Sequence, residues 1–185
     1  MVREIDTNSK SDLRSVKTDR ALYDAMYGLL QGRIFRKITV NDICTAALVS
    51  RAAFYAHYSD KYDLLENWLT RLCPQPAAGG DTYESIEKTV NEFVYEHKAI
   101  IKNIVNDADQ GTLDTLLQIV LSLLNLTSES GKPGSNPQQA IQYNIYAGGI
   151  INYIIWQVRN NFPDDVKPMN RSLFKIIEEC GNFDL

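Results

Sequence analysis

Apolar positions in this chain recur every three or four residues from end to end, and no stretch alternates with a period of two, so the pattern predicts helices throughout. The first twelve residues are polar. Leu22, Met26, Leu29 and Leu30 then form one face of a helix that begins at about Leu13 or Thr18 and closes near Gly32. Thr39 is a capping residue for a short helix with Val40, Ile43, Ala46 and Ala47 on one face, and Leu48-Val49 break the pattern at a tight turn. Ser50 caps a second short helix, Arg51–Tyr58, and Ser59 or Asp60 caps a third that runs on through Tyr62, Leu64, Leu65 and Trp68. Pro74 and Pro76, followed by Gly79-Gly80, make residues 73–80 a connector, which divides the chain into a head (1–73) and a body (81–185).

In the body, Asp81 and Glu84 stand at capping-box spacing ahead of a helix to about His97, with Ile86, Val90, Phe93 and Val94 inward. A short helix from Lys98 to about Val105 follows, then a polar turn over Asp107–Thr112 and a strongly apolar helix over Leu113–Leu126. Residues 128–137 form a second loop. The helix expected from about Gln138 to Asn160 is apolar almost all round, as a helix buried on both faces is. A last helix starts at Pro168 or Asn170, carries Leu173, Phe174, Ile176 and Ile177, and ends near Gly181. The predicted class is all-α, with about nine helices.

Two short helices joined by a tight turn make a helix-turn-helix, whose second helix can enter a DNA major groove. The stretch from Phe35 to Leu65 resembles the DNA-binding domain of the TetR/AcrR family of bacterial transcriptional regulators. The matching residues are Phe35, Ile38-Thr39-Val40, Ile43, Ala46-Ala47, Val49-Ser50, Phe54-Tyr55, His57-Tyr58, Lys61 and Leu64-Leu65, in order and without a gap. One position departs: the family often has Gly in the turn where this chain has Leu48, so a strained or altered turn is expected there.

The chemistry of the second helix suits a DNA surface. Ser50 and Arg51 stand at its N-terminus, where the helix dipole favours phosphate. Arg51 can pair with a guanine or grip the backbone, and Ala52 and Ala53 are small enough to sit against a thymine methyl or let the helix settle deep. Thr39 can donate to phosphate from its cap. The resemblance further implies that Tyr55, His57 and Lys61 contact the phosphate backbone, a role that suits three hydrogen-bond donors. Few polar base readers remain, so groove shape should contribute to specificity. Arg14, Lys17 and Arg20 on the first helix can lie along the same backbone.

Charge adds to this picture. The formal net charge is −4, yet the head carries 11 Lys and Arg against 9 Asp and Glu, and the remainder 8 against 14. A mildly basic head on an acidic body fits a DNA-reading unit joined to a sensing unit. Three dispersed cysteines, Cys44, Cys73 and Cys180, form no CxxC or Cys–His cluster, so neither a metal site nor a disulfide framework is expected. With no signal peptide and no membrane-length apolar run, a cytoplasmic protein is expected. No catalytic or nucleotide-binding motif occurs, and His97 sits at a predicted helix end; neither an enzyme nor a cofactor is expected.

For the body, the resemblance implies a small-molecule effector and a dimer. Phe93, Tyr95, Tyr143, Tyr146 and Trp156 are the candidate pocket lining, with plain core packing as the other reading. Gly148, Gly149, Ile151, Leu173, Phe174 and Ile177 are the candidate dimer interface, where Gly148-Gly149 permit close backbone approach; the long helix as the core of a monomer is the alternative. The function expected is a ligand-responsive repressor that binds a pseudo-palindromic double-stranded operator as a homodimer. The alternative is a coactivator on the same fold that works through a protein partner.

Overall fold

The computed structural model describes residues 7–74, 82–127 and 137–163. Among them every regular element is helical: α1 (Thr7–Leu30), a single 3-10 turn (Phe35–Lys37), α2 (Val40–Ala47), α3 (Arg51–Tyr55), α4 (Lys61–Leu72), α5 (Thr82–Glu96), α6 (Lys98–Val105), α7 (Gln110–Thr127) and α8 (Pro137–Arg159). The all-α class is as expected. The helix anticipated over 168–181 lies outside the described residues, as does Asp81.

Local caps fix the elements of the head. Thr39 accepts a hydrogen bond from the Asp42 amide while the Asp42 carboxylate accepts from the Thr39 amide, a reciprocal capping box that starts α2. Ser50 accepts from the Ala53 amide to start α3, and Asp60 accepts from the amides of Tyr62 and Asp63 to start α4. Three boundaries differ from expectation. Helix α1 begins at Thr7, ahead of the expected start. Helix α3 stops at Tyr55, three residues early, because the amides of His57 and Tyr58 both turn back to the Phe54 carbonyl and carry Tyr58 into the core. Helix α7 starts at Gln110, inside the expected polar turn, because Asp109 accepts from the Thr112 amide and hydroxyl and so caps it.

Leu22, Met26, Leu30, Phe35, Ile43, Phe54, Leu64 and Leu65 are fully buried where α1 to α4 meet. The apolar core runs on without a break through Val94, Ile100, Ile104, Leu123 and Tyr146 of the body helices. Polar contacts clasp the same joint. Arg36 pairs with Asp107 at 2.9 Å, the Tyr62 hydroxyl donates to Asp109 at 2.7 Å, and Asn103 donates to the Leu30 carbonyl that ends α1. Gly111 lies so close to the Tyr62 ring that a Cβ there would stand 3.0 Å from it, so a larger residue would push on the ring where α4 meets α7. Burial pushes the Asp109 carboxyl up, but hydrogen bonds from Thr112 and Tyr62 outweigh it and hold the group down at about 2. The Tyr62 phenol, buried and donating to that carboxylate, is raised to about 12.

Candidate nucleic-acid interface

Helix α3 is short, amphipathic and held from behind. Phe54 is fully buried and meets the Tyr55 ring edge-on at 5.3 Å, while Tyr58 closes the core below it. That leaves Arg51, Ala52, Tyr55 and Ala56 exposed along one face, at the i, i+1, i+4, i+5 spacing of a single helix side. Ala53 is half-buried beside them. The Arg51 guanidinium lies 5.8 Å from the Tyr55 ring centroid, and its Nη2 donates to the Tyr55 oxygen at 3.4 Å. Tyr55 is therefore an acceptor from Arg51, and its own O–H stays available to a phosphate.

The turn into this helix is strained as expected. Leu48 adopts φ 55° and ψ 36°, the left-handed region, and its side chain is 94% exposed. Leucine there costs about 1–2 kcal/mol relative to a right-handed conformation, and no burial offsets the cost. Thr39 spends its hydroxyl within the capping box, donating to Asp42 Oδ2 at 2.7 Å. Arg33 bridges to the same carboxylate at 3.2 Å. The hydrogen bonds from Arg33 and Thr39 hold Asp42 well below the usual carboxylate range.

Lys61 departs from its expected role. Its ammonium donates to the carbonyls of Phe35, Arg36 and Ile38 at 3.1, 3.0 and 3.0 Å, and lies 4.6 Å from the Phe35 ring centroid. An ammonium has three protons, and all three are taken. In this conformation Lys61 ties the start of α4 to the turn before α2 and has no proton left for phosphate. Its pKa is lowered, chiefly by burial.

His57 keeps one edge in hand. Its Nδ1 is 2.8 Å from Asp19 Oδ1, on α1, and Nε2 makes no hydrogen bond within the described residues. The Tyr58 hydroxyl donates to the same Asp19 oxygen at 2.9 Å and stands 3.0 Å from the Tyr23 hydroxyl. Spacing in the sequence gave no sign of Asp19, which lies 38 residues from His57. Of the α1 cations, Lys17 and Arg20 are exposed, Arg20 loosely paired with Asp24 at 4.0 Å. The side chain of Arg14 lies outside the described residues.

In the body, the candidate pocket residues are set into packing. Phe93 is buried and packs against the His97 ring at 4.7 Å with the planes tilted by 54°; Tyr95 donates to the Pro163 carbonyl at 2.9 Å with the Lys98 ammonium 4.1 Å from its ring centroid. Tyr146 is buried, Tyr143 and Trp156 half-buried, and Trp156 stacks on Tyr153 at an interplanar angle of 11°. Sequence reasoning missed Gln157, which shares the inward face of α8 with Tyr146. It is fully buried, its Nε2 is a long 3.4 Å from Asn91 Oδ1, and its Oε1 has no hydrogen-bond partner.

The candidate dimer residues on α8 fall on different faces. Ile151 is buried within its own chain, because it falls on the face of α8 that packs inward. The outward stripe is Ile141 and Ile145, about 60% and 56% exposed, with Gly148 and Asn152 continuing it at helical spacing. A Cβ on Gly148 would meet nothing within 4 Å, and Gly149 is half-buried. Leu173, Phe174 and Ile177 lie outside the described residues. Among the described residues no acidic, histidine or cysteine cluster could hold a metal ion, and no helix is long and apolar enough to cross a membrane.

Comparison with known proteins gives consistent results. Residues 22–67 match the family model described as bacterial regulatory proteins, tetR family. YxbF, an uncharacterized HTH-type transcriptional regulator of Bacillus subtilis (strain 168), is 33% identical over 73 residues; the match covers 39% of this chain and 19% of the relative's length. A TetR transcriptional regulator from Streptococcus agalactiae 2603V shares the fold at 21% identity and a TM-score of 0.60, over 91% of this chain and 98% of that one. NalD of Pseudomonas aeruginosa, the secondary repressor of the MexAB-OprM multidrug efflux pump, does so at 16% identity and a TM-score of 0.54, over 90% and 96% of the two chains.

Proposed function

Because the head of this chain belongs to the TetR family of bacterial regulatory proteins, we propose that the protein is a cytoplasmic transcriptional regulator, not an enzyme, that binds double-stranded DNA as a homodimer and represses transcription until an effector binds its body. The observation that carries the reading is α3, a capped helix whose outward face is Arg51, Ala52 and Tyr55 and whose inward residues pin it to the core. Arg51 reads a base edge, and Tyr55 and His57 grip phosphate. Ser50 offers its helix N-terminus to the backbone, and Ala52 and Ala53 meet the groove floor. Thr39 sits where α2 begins, close to the strand.

The apolar stripe of Ile141 and Ile145 supports dimerisation through α8, with Gly148 allowing the partner helix to come close. Two heads then sit on successive major grooves when their recognition helices are about 34–36 Å apart. Repression is supported by analogy with NalD, described as a repressor. An effector acts by favouring a body arrangement in which that spacing is lost. Gln157, buried with an unsatisfied carbonyl oxygen, supports an effector that supplies a hydrogen-bond donor between α5 and α8. Action through a protein partner is the second reading, and the engagement of the Lys61 ammonium by three backbone carbonyls is what favours it.

Selection of duplexes from a random pool, followed by gel shift, tests the proposal. A pseudo-palindromic site bound by a dimer is the expected result. Recovery of no preferred duplex at low salt, from protein that is folded and dimeric, would transfer the case to the partner reading.

A further inference from the structure

The contact between Asp19 and His57 has a consequence that follows from counting protons. A carboxylate only accepts hydrogen bonds, so His57 Nδ1, 2.8 Å from Asp19 Oδ1, must carry a proton. The same oxygen accepts from Tyr58, whose oxygen in turn accepts from Tyr23. A neutral imidazole has a single N–H, and here it is committed to Asp19. Nε2 then presents a lone pair, and a phosphate oxygen facing it would meet acceptor with acceptor. An imidazolium has N–H groups on both nitrogens and serves Asp19 and a phosphate together.

We propose that Asp19 is a positioning residue for the DNA contact: by holding Nδ1–H of His57, it lets the imidazole grip a backbone phosphate only when doubly protonated, so that each head takes up one proton from solvent on binding DNA. The inference rests on the DNA-binding reading above. It makes DNA occupancy respond to pH, with acid conditions favouring the bound state.

Among the described residues, Asp19 is the single charged partner of His57. From α1 it is faced by Asp19 and, beyond Tyr58, by Tyr23; from its own segment by Tyr58, whose phenol is raised far out of range by burial and stays protonated. From α4, Arg71 reaches the Tyr23 ring at 5.7 Å, Lys61 is enclosed by carbonyls, and Asp60 is engaged by the amides of Tyr62 and Asp63. From α2, Asp42 is taken by Thr39 and Arg33. The sequence has two histidines, and the other, His97, packs on Phe93 in the body.

The test uses the full chain and a duplex that the wild-type chain enriches from a random pool. Affinity is measured by fluorescence anisotropy from about pH 5.5 to about pH 8.5 at constant salt. Wild-type affinity should fall as pH rises, approaching about tenfold per pH unit for each head. His97→Gln should keep that slope, whereas His57→Gln should flatten it at the level of the wild type's alkaline end. Asp19→Asn is the sharpest case. Its amide can donate to Nδ1, which moves the imidazole proton to Nε2, so a neutral His57 can then reach phosphate. The variant should bind almost independently of pH and more tightly than wild type at the alkaline end. If Asp19 only braces the fold, Asp19→Asn would lose affinity equally at every pH with the slope intact, and the proposal is overturned. A slope that survives in His57→Gln overturns it as well, whether or not Asp19→Asn folds. A flat wild-type curve on a duplex that binds overturns this inference alone; failure to enrich any duplex overturns the DNA reading and this inference with it.

Discussion

Replacing Lys61 by Met removes the ammonium while the thioether chain still fills the space of the lysine stem. Three carbonyls, those of Phe35, Arg36 and Ile38, each lose a donor at 3.0–3.1 Å. A hydrogen bond to a charged group contributes about 1.5–3 kcal/mol net. The three are not additive, since one ammonium serves them all and its partial burial opposes them. The Phe35 carbonyl also retains the Ile38 amide. The expected loss is therefore about 2–3 kcal/mol, near that of one strong charge-assisted bond. For a chain of this size that corresponds to about 5–10 °C in melting temperature. Urea titration at fixed protein concentration reads it directly, as a lower midpoint with an unchanged slope. A phosphate-contacting lysine on the surface behaves differently: its removal would leave stability within about 0.5 kcal/mol of wild type and lower the salt dependence of DNA binding by about one phosphate per head. That second outcome would refute the carbonyl cage as the role of Lys61.

Leu48→Gly should raise stability by about 0.5–1 kcal/mol, because glycine accepts the left-handed turn and no buried surface is lost; a lower melting temperature would contradict the strain argument. Asp109 is held at about 2, below its ordinary value of 3.8, so its contribution is complete above about pH 4 and disappears as pH falls toward 2. Asp109→Asn should be less stable than wild type at neutral pH and lose part of the acid-induced drop over that window, as followed by circular dichroism; Asp42 titrates in the same direction. Ile145→Glu should yield folded monomers by analytical ultracentrifugation, whereas Ile151→Glu should unfold the chain, since only the former is exposed in the monomer. Arg51→Ala should cost about 1–3 kcal/mol in DNA binding and relax preference at one base pair per half-site; an equal loss on every single-base operator variant would mark a phosphate contact instead.

The parts of this structure that were legible in the sequence are those settled by neighbours along the chain. Thr39, Ser50 and Asp60 cap helices through partners two or three residues away, and the unusual turn at Leu48 was visible only through the family resemblance, which often has glycine at that position. The start of α7 was misread because Asp107–Thr112 looks like a loop by composition. Gly111 belongs there for the ring of Tyr62, a requirement set by packing between two helices. Distance in sequence hid the rest. Lys61 meets carbonyls more than twenty residues back, and His57 meets Asp19 38 residues back. A helix that is apolar all round, such as α8, does not disclose which side packs within its own chain, and Ile151 lies on that inward side.

The clasp at Arg36–Asp107, Tyr62–Asp109 and Asn103–Leu30 bears on how interchangeable the head is. A DNA-reading unit is often treated as a part that can be grafted onto another sensor by cutting at the linker. Here the cut after Cys73 would carry away Arg36 and Tyr62 and leave behind the aspartates they recognise, and it would expose Trp68, Leu69 and Cys73, which the continuous core covers. Among the described residues, the fitting between the two parts is written in the α6–α7 corner. A chimera that takes residues 1–73 alone should therefore keep its DNA preference and lose its response to the new sensor, and one that also imports Asn103–Gly111 should regain that response.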